Sequence, residues 1–126
     1  VIYKILDISA LLLYCALIFW LSDQAKLPDH SLIENQDKLD HFLAYFAMAV
    51  FAWRYFAHFS VPRHWQLLIG TVFCSLYGLS DEWHQSFVAG RESSALDWLA
   101  DTLGGLCGGL ACYWYTKRYG AQRSPG

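Results

Sequence analysis

Asp81, Glu82 and His84 fall within four consecutive positions, and Arg91 follows closely, in the segment Tyr77-Gly78-Leu79-Ser80-Asp81-Glu82-Trp83-His84-Gln85-Ser86-Phe87-Val88-Ala89-Gly90-Arg91. The segment closes an apolar run, where ionisable groups must be solvated, paired or put to use. Histidine exchanges protons near neutral pH, and carboxylates orient or activate it, so the pattern suits general acid/base chemistry. Similar groups recur at Asp37-Lys38-Leu39-Asp40-His41 and at Asp97 and Asp101. The candidate catalytic residues are therefore His41, Asp81, Glu82, His84, Asp97 and Asp101. The candidate substrate-binding residues are Asp37, Lys38, Tyr45, Gln85 and Arg91, with Lys38 and Arg91 suited to a phosphate or carboxylate. Histidines among carboxylates also form a ligand set for a divalent ion. The spacing of Asp81 and His84 matches no specific metal motif, so the sequence names no metal and no cofactor. Ser80 stands beside Asp81, but nothing in the pattern marks it as a nucleophile.

The elements that must carry these groups are strongly apolar. Hydrophobic residues make up 56 % of the 126, and charged residues only 16 %. A soluble domain is usually about a quarter charged. The net charge is −2 and the basic residues are scattered, which argues against a nucleic-acid partner. Cys15, Cys74, Cys107 and Cys112 lie inside apolar runs without a C-x-x-C pair, as buried thiols rather than a disulfide framework or zinc site. No small-x-small cleavage site follows the first run, so no cleavable signal peptide is expected.

Four apolar runs, Ile5–Leu21, Phe42–Phe59, Trp65–Ser80 and Trp98–Thr116, predict one all-α domain over 1–126 with helices at about 4–22, 38–60, 64–86 and 96–117. All six tryptophans, at 20, 53, 65, 83, 98 and 114, fall near run ends, the pattern of an interfacial aromatic belt. The expected architecture is an integral membrane four-helix up-down bundle with short connections between antiparallel neighbours. Lys4, Arg54, Arg63, Lys117, Arg118 and Arg123 fall on one side, and Lys26, Lys38 and Arg91 on the other. That bias places both termini and the Pro62 loop in the cytoplasm of a multi-pass membrane protein. The tail from Ala121 to Gly126 is expected to be loosely ordered.

Depth and facing then gather the polar groups. The third run, at about 1.5 Å per residue, is too short for a hydrocarbon core of about 30 Å, so its helix must continue through Asp81. Counting back about 20 residues from Arg54 and Lys117 brings His41, Asp97 and Asp101 to the same outer boundary. Asp37, His41 and Tyr45 share a helical face, as do Asp81, His84, Gln85 and Val88, and Asp97, Asp101, Gly104 or Gly105, and Gly108. Gly104 and Gly108, and Gly105 and Gly109, are spaced for close helix packing, within the chain or across a homodimer seam.

These residues resemble the VanZ-like family of small bacterial membrane proteins. Asp37-Lys38-Leu39-Asp40-His41-Phe42-Leu43-Ala44-Tyr45 is similar to the family's D-K-x-x-H-F-x-x-Y element. Tyr77-Gly78, Asp81-Glu82, Gln85, Phe87, Gly90-Arg91, Asp97 and Gly104 resemble its second element. Asp101 departs from the pattern, standing where the family commonly has asparagine. The resemblance implies a cell-envelope context, since the founding member confers low-level resistance to the glycopeptide teicoplanin. The expected partners are membrane lipids and a lipid-linked cell-wall intermediate. Three classes of function remain open: an outer-leaflet enzyme acting on an envelope lipid or such an intermediate, a non-catalytic lipid-binding or assembly protein, and a small proton-coupled carrier.

Overall fold

A computed structural model describes residues 1–24 and 35–120. Lys26, Arg123 and the tail from Ala121 lie outside the described residues. Four helices account for the fold: α1 (Ile2–Asp23), α2 (Gln36–Phe56), α3 (Arg63–Gln85) and α4 (Ala95–Tyr119). Local chemistry sets their ends. Ser94 caps α4, its side chain accepting from Leu96 N at 3.2 Å. Asp97 lies in the first turn of α4 and Lys117 and Arg118 in its last, where each opposes the helix dipole. Asn35, at φ 63°, turns the chain into α2. Gly90, at φ 78°, supplies the left-handed residue that returns the chain from α3 toward α4. The second helix ends at Phe56, short of the expected residue 60. His58, Phe59 and Ser60 lie in the turn to α3, and His58 is held there by Asp7.

The helices alternate in direction, but consecutive neighbours do not dominate the packing. The most extensive contact joins α2 and α4, which run parallel, followed by α3 on α4. The glycines explain this. A Cβ on Gly104 would strike the backbone carbonyl of Phe42, and one on Gly108 the carbonyl of Phe46. Gly105 faces Cys74 and Gly109 faces Leu67, both on α3. Small residues on two faces of α4 thus let two helices approach its backbone at once. All four glycines are buried inside the chain, the intramolecular packing that their spacing allows.

Helix α1 packs on α2 and α3 and not on α4. Tyr14 OH donates to Ala44 O at 2.7 Å and Tyr77 OH to Cys15 O at 2.6 Å, pinning its middle. Asp7, 8 % exposed, pins its beginning: Arg54 Nε donates to Oδ1 at 2.9 Å and His58 Nε2 to Oδ2 at 2.7 Å. Among the described helices, α1 alone is long and apolar enough to cross a membrane by length and composition. The buried interior holds Tyr45, Met48, Ala49, Ala52, Trp53 and Cys74, and alongside them Asp7, Gln66, Asp81, Glu82, Gln85, Asp97 and Asp101. Large apolar side chains on all four helices, Leu13, Leu43, Leu76 and Leu103 among them, are exposed. Trp20, Trp65, Trp83 and Trp114 are exposed at helix ends. Trp53 departs from the expected belt: it is 6 % exposed and belongs to the interior. Trp98 is half-buried, and its indole Nε1 donates to Ser75 O at 3.0 Å.

Candidate functional site

Three helices deliver their polar groups to the end of the bundle where α1 and α3 finish and α2 and α4 begin. The α2–α4 approach at Gly104 lies one turn from Asp101, so the same packing that seats Phe42 sets Asp101 beside His41. His41 Nδ1 donates to Asp101 Oδ1 at 2.8 Å. A carboxylate only accepts, so Nδ1 carries a proton, and in the neutral ring Nε2 keeps its lone pair. Asp101 is fully buried, and Gly78 makes its place: a Cβ there would lie 2.7 Å from Asp101 Oδ2. This accounts for glycine before the acidic pair, a role that the sequence reading did not assign. Tyr45 OH donates to Asp81 Oδ2 at 3.3 Å. Glu82 joins the end of α3 to the start of α4 by accepting from Ser94 N through Oε2 at 2.9 Å. Its other oxygen, Oε1, lies 3.8 Å from His41 Nδ1, too far for a hydrogen bond.

Three buried carboxylate oxygens, Glu82 Oε1, Asp97 Oδ1 and Asp101 Oδ2, have no hydrogen-bond partner among the described residues. Asp97 Oδ1 is nonetheless 3.5 Å from Lys38 Nζ, an ion pair without hydrogen-bond geometry. Unpartnered buried oxygens are costly and uncommon, so the cluster is built around more than its own bonds. One ligand atom from each of His41, Asp81 and Asp101 lies within 4.8 Å of the other two, and the same holds for Asp37, His41 and Asp97.

Two clefts open on this cluster. The first, of about 410 Å³, has an apolar wall from Ile18 and Leu21 of α1 and a polar wall from Asp37, His41, Tyr45, Asp81 and Gln85. The second, of about 420 Å³, is lined by Lys38, Glu92, Ser94 and Asp97 and shares Asp37, Gln85 and Arg91 with the first.

The structure therefore brings together Asp37, Lys38, His41, Tyr45, Asp81, Glu82, Gln85, Asp97 and Asp101, with Arg91 at the rim. It does not bring His84. The inward stripe of α3 is Gly78, Asp81, Glu82 and Gln85, all buried. His84 lies off that stripe and meets α1: its ring stacks on Phe19 with centroids 4.5 Å apart, and its nitrogens reach Ser22 Oγ at 3.4 Å and Asp23 Oδ1 at 3.2 Å. The buried stripe is centred between Asp81 and Glu82, and His84, two positions beyond Glu82, lies about 110° around the helix from that centre. Arg91 is likewise engaged. Its Nη2 donates to Leu21 O at 2.8 Å and its Nε to Gln24 O at 2.9 Å, at the C-terminal end of α1.

A protein-family model described as VanZ/LLP1 matches residues 8–116. No curated protein and no solved structure matches the chain.

Proposed function

Since the chain belongs to the VanZ/LLP1 family, we propose that it is a multi-pass membrane protein of the bacterial cell envelope whose polar site, in the outer leaflet, takes the head group of an envelope lipid or lipid-linked cell-wall intermediate. The observation that carries this reading is the first cleft. Its apolar wall and its acidic, histidine-bearing wall match the two halves of an amphiphile, and it opens between helices rather than within a closed core. The membrane setting draws on the inverted distribution of side chains, with acids and amides inside and leucines outside. Of these inward acids and amides, α1 carries only Asp7, and the others lie within α3 and α4. Lys4, Arg54, Arg63, Lys117 and Arg118 gather at the opposite end from the acidic site, an arrangement that favours cytoplasmic termini.

Chemically, Asp101 holds the His41 ring and leaves Nε2 able to accept a proton from a hydroxyl or water beside a bound head group. A change in the lipid or its precursor would alter susceptibility to glycopeptides such as teicoplanin. The test is a strain whose phenotype depends on this chain, complemented at equal expression with the wild type, His41→Ala or Asp81→Asn. Both variants are expected to lose complementation, and full complementation by both would sink the reading. A non-catalytic reading draws on Lys38–Asp97 and on Arg91 holding the end of α1, contacts that tie helices together. It predicts that loss of phenotype tracks loss of thermal stability across the variants.

A further inference from the structure

We infer that the cluster at the outer end is a divalent-cation site in which His41, Asp81 and Asp101, with Glu82 Oε1 beside them, hold a first-row transition ion of the Zn2+ or Mn2+ class. The inference deepens the proposed function and rests on it for the ion's purpose, though not for its place. The donors are close enough: one atom from each of the three residues lies within 4.8 Å of the others. Ligands on a common ion at about 2.0–2.2 Å are separated by at most about 4.4 Å, so small side-chain rotations close the set.

Burial supplies an independent reason. Glu82 is 4 % exposed, and its Oε1, 3.8 Å from His41 Nδ1, accepts no hydrogen bond from any described residue. Asp101 is 0 % exposed, and its Oδ2 is equally unpartnered. A carboxylate oxygen withdrawn from water without a donor is costly, and one cation satisfies several of them together. Charge points the same way. Asp81, Glu82, Asp97 and Asp101 are all buried, while Lys38 pairs with Asp97 and Arg91 is engaged with the carbonyls of α1. Tyr45, donating to Asp81, orients one ligand from outside, as hydrogen bonds to metal-binding carboxylates do. An imidazole among carboxylates suits Zn2+ or Mn2+ better than Ca2+ or Mg2+.

An acid-lined cleft repels a phosphate-bearing head group, and a bound cation reverses that. An ion there would displace the proton that His41 Nδ1 donates to Asp101, and it would supply the activation of a bound water or hydroxyl that His41 provides in its absence.

The full chain, purified in detergent and stripped with chelator, is dialysed against Zn2+, Mn2+, Mg2+ or Ca2+, each alone, and retained metal is measured together with the thermal midpoint. One ion per chain and a rise in midpoint are expected. Asp101→Asn and Asp81→Asn should each weaken retention about 10-fold or more while leaving the stripped protein as stable as the wild type or more so, because each removes one charge from a cluster of buried carboxylates that repel one another without the ion. His41→Gln gives a third arm should one aspartate variant fail to fold. The inference is overturned if neither Zn2+ nor Mn2+ is retained at about millimolar concentration, if retention is unchanged in the variants, or if only Mg2+ and Ca2+ are retained. Binding of a short-chain phosphatidylglycerol is measured in parallel. Metal retained with no lipid bound in its presence or absence upholds the ion site and contradicts the head-group reading, whereas lipid bound with no metal retained upholds the head-group reading and overturns the ion site.

Discussion

Asp101 has no exposed surface, one oxygen on His41 and the other against the bare Cα of Gly78. Two substitutions separate its roles. Asp101→Asn keeps the shape and a hydrogen-bond acceptor for His41 and removes the charge, so helix content should stay wild type while phenotype falls (circular dichroism beside complementation). Gly78→Ala drives a methyl into the carboxyl group. Overpacking of this kind costs about 1–3 kcal/mol, and the carboxyl group must turn away from His41, so activity should fall more than the thermal midpoint does. At this scale the sequence was legible where residues sat on a stripe already marked by other acids, as with Asp37, His41, Tyr45 and Asp97. It was not legible for His84, because the sequence did not show that Glu82 belongs to the inward stripe, which leaves His84, two positions on, facing α1. Nor did spacing reveal that Asp7, Arg54 and His58 meet, since that contact joins α1 to the end of α2 and the turn after it, 47 and 51 residues away in sequence.

Among the elements, α4 does most to position the site, because its glycines fix both α2 and α3 against it. Gly104→Ala places a methyl on a backbone carbonyl that has no rotamer to yield, and it should lower the midpoint by several degrees and reduce the folded yield. Gly70→Ala is the matched control: nothing lies within 4 Å of a Cβ there, and helix propensity alone favours alanine by about 0.5–1 kcal/mol. A thermal scan of both variants checks the contrast, and equal midpoints would remove the α2–α4 seam from the account. The four helices were legible because each apolar run is long and bounded by polar turns. The α2–α4 partnership was not, since short connections argue for sequence neighbours and only the glycine faces, seen in three dimensions, show which pair comes closest. Arg91 lines both clefts, as a guanidinium after an acidic cluster suggests, but its hold on the carbonyl end of α1 was not legible, because that contact spans about 70 residues of sequence.

For the whole molecule, the inversion of polar and apolar side chains carries the membrane reading more firmly than any single helix does. Tryptophan placement sharpens it. Trp20 and Trp83 lie at the end bearing the acidic site and Trp65 and Trp114 at the other, all exposed, whereas Trp53 is in the interior. In vesicles whose lipids carry bromine at the head-group level, fluorescence of the four exposed tryptophans should be quenched and that of Trp53 spared, as read from single-tryptophan variants. Quenching of Trp53 alone would contradict the arrangement. The central claim, that the cluster around His41 and Asp101 holds the head group of an envelope lipid, is tested most directly by native mass spectrometry of the protein extracted gently from its own membrane. A defined lipid or lipid-linked species should leave with the wild-type chain and be lost from Asp101→Asn and Asp81→Asn at unchanged thermal midpoint. Equal retention of the same species by all three proteins would contradict the claim.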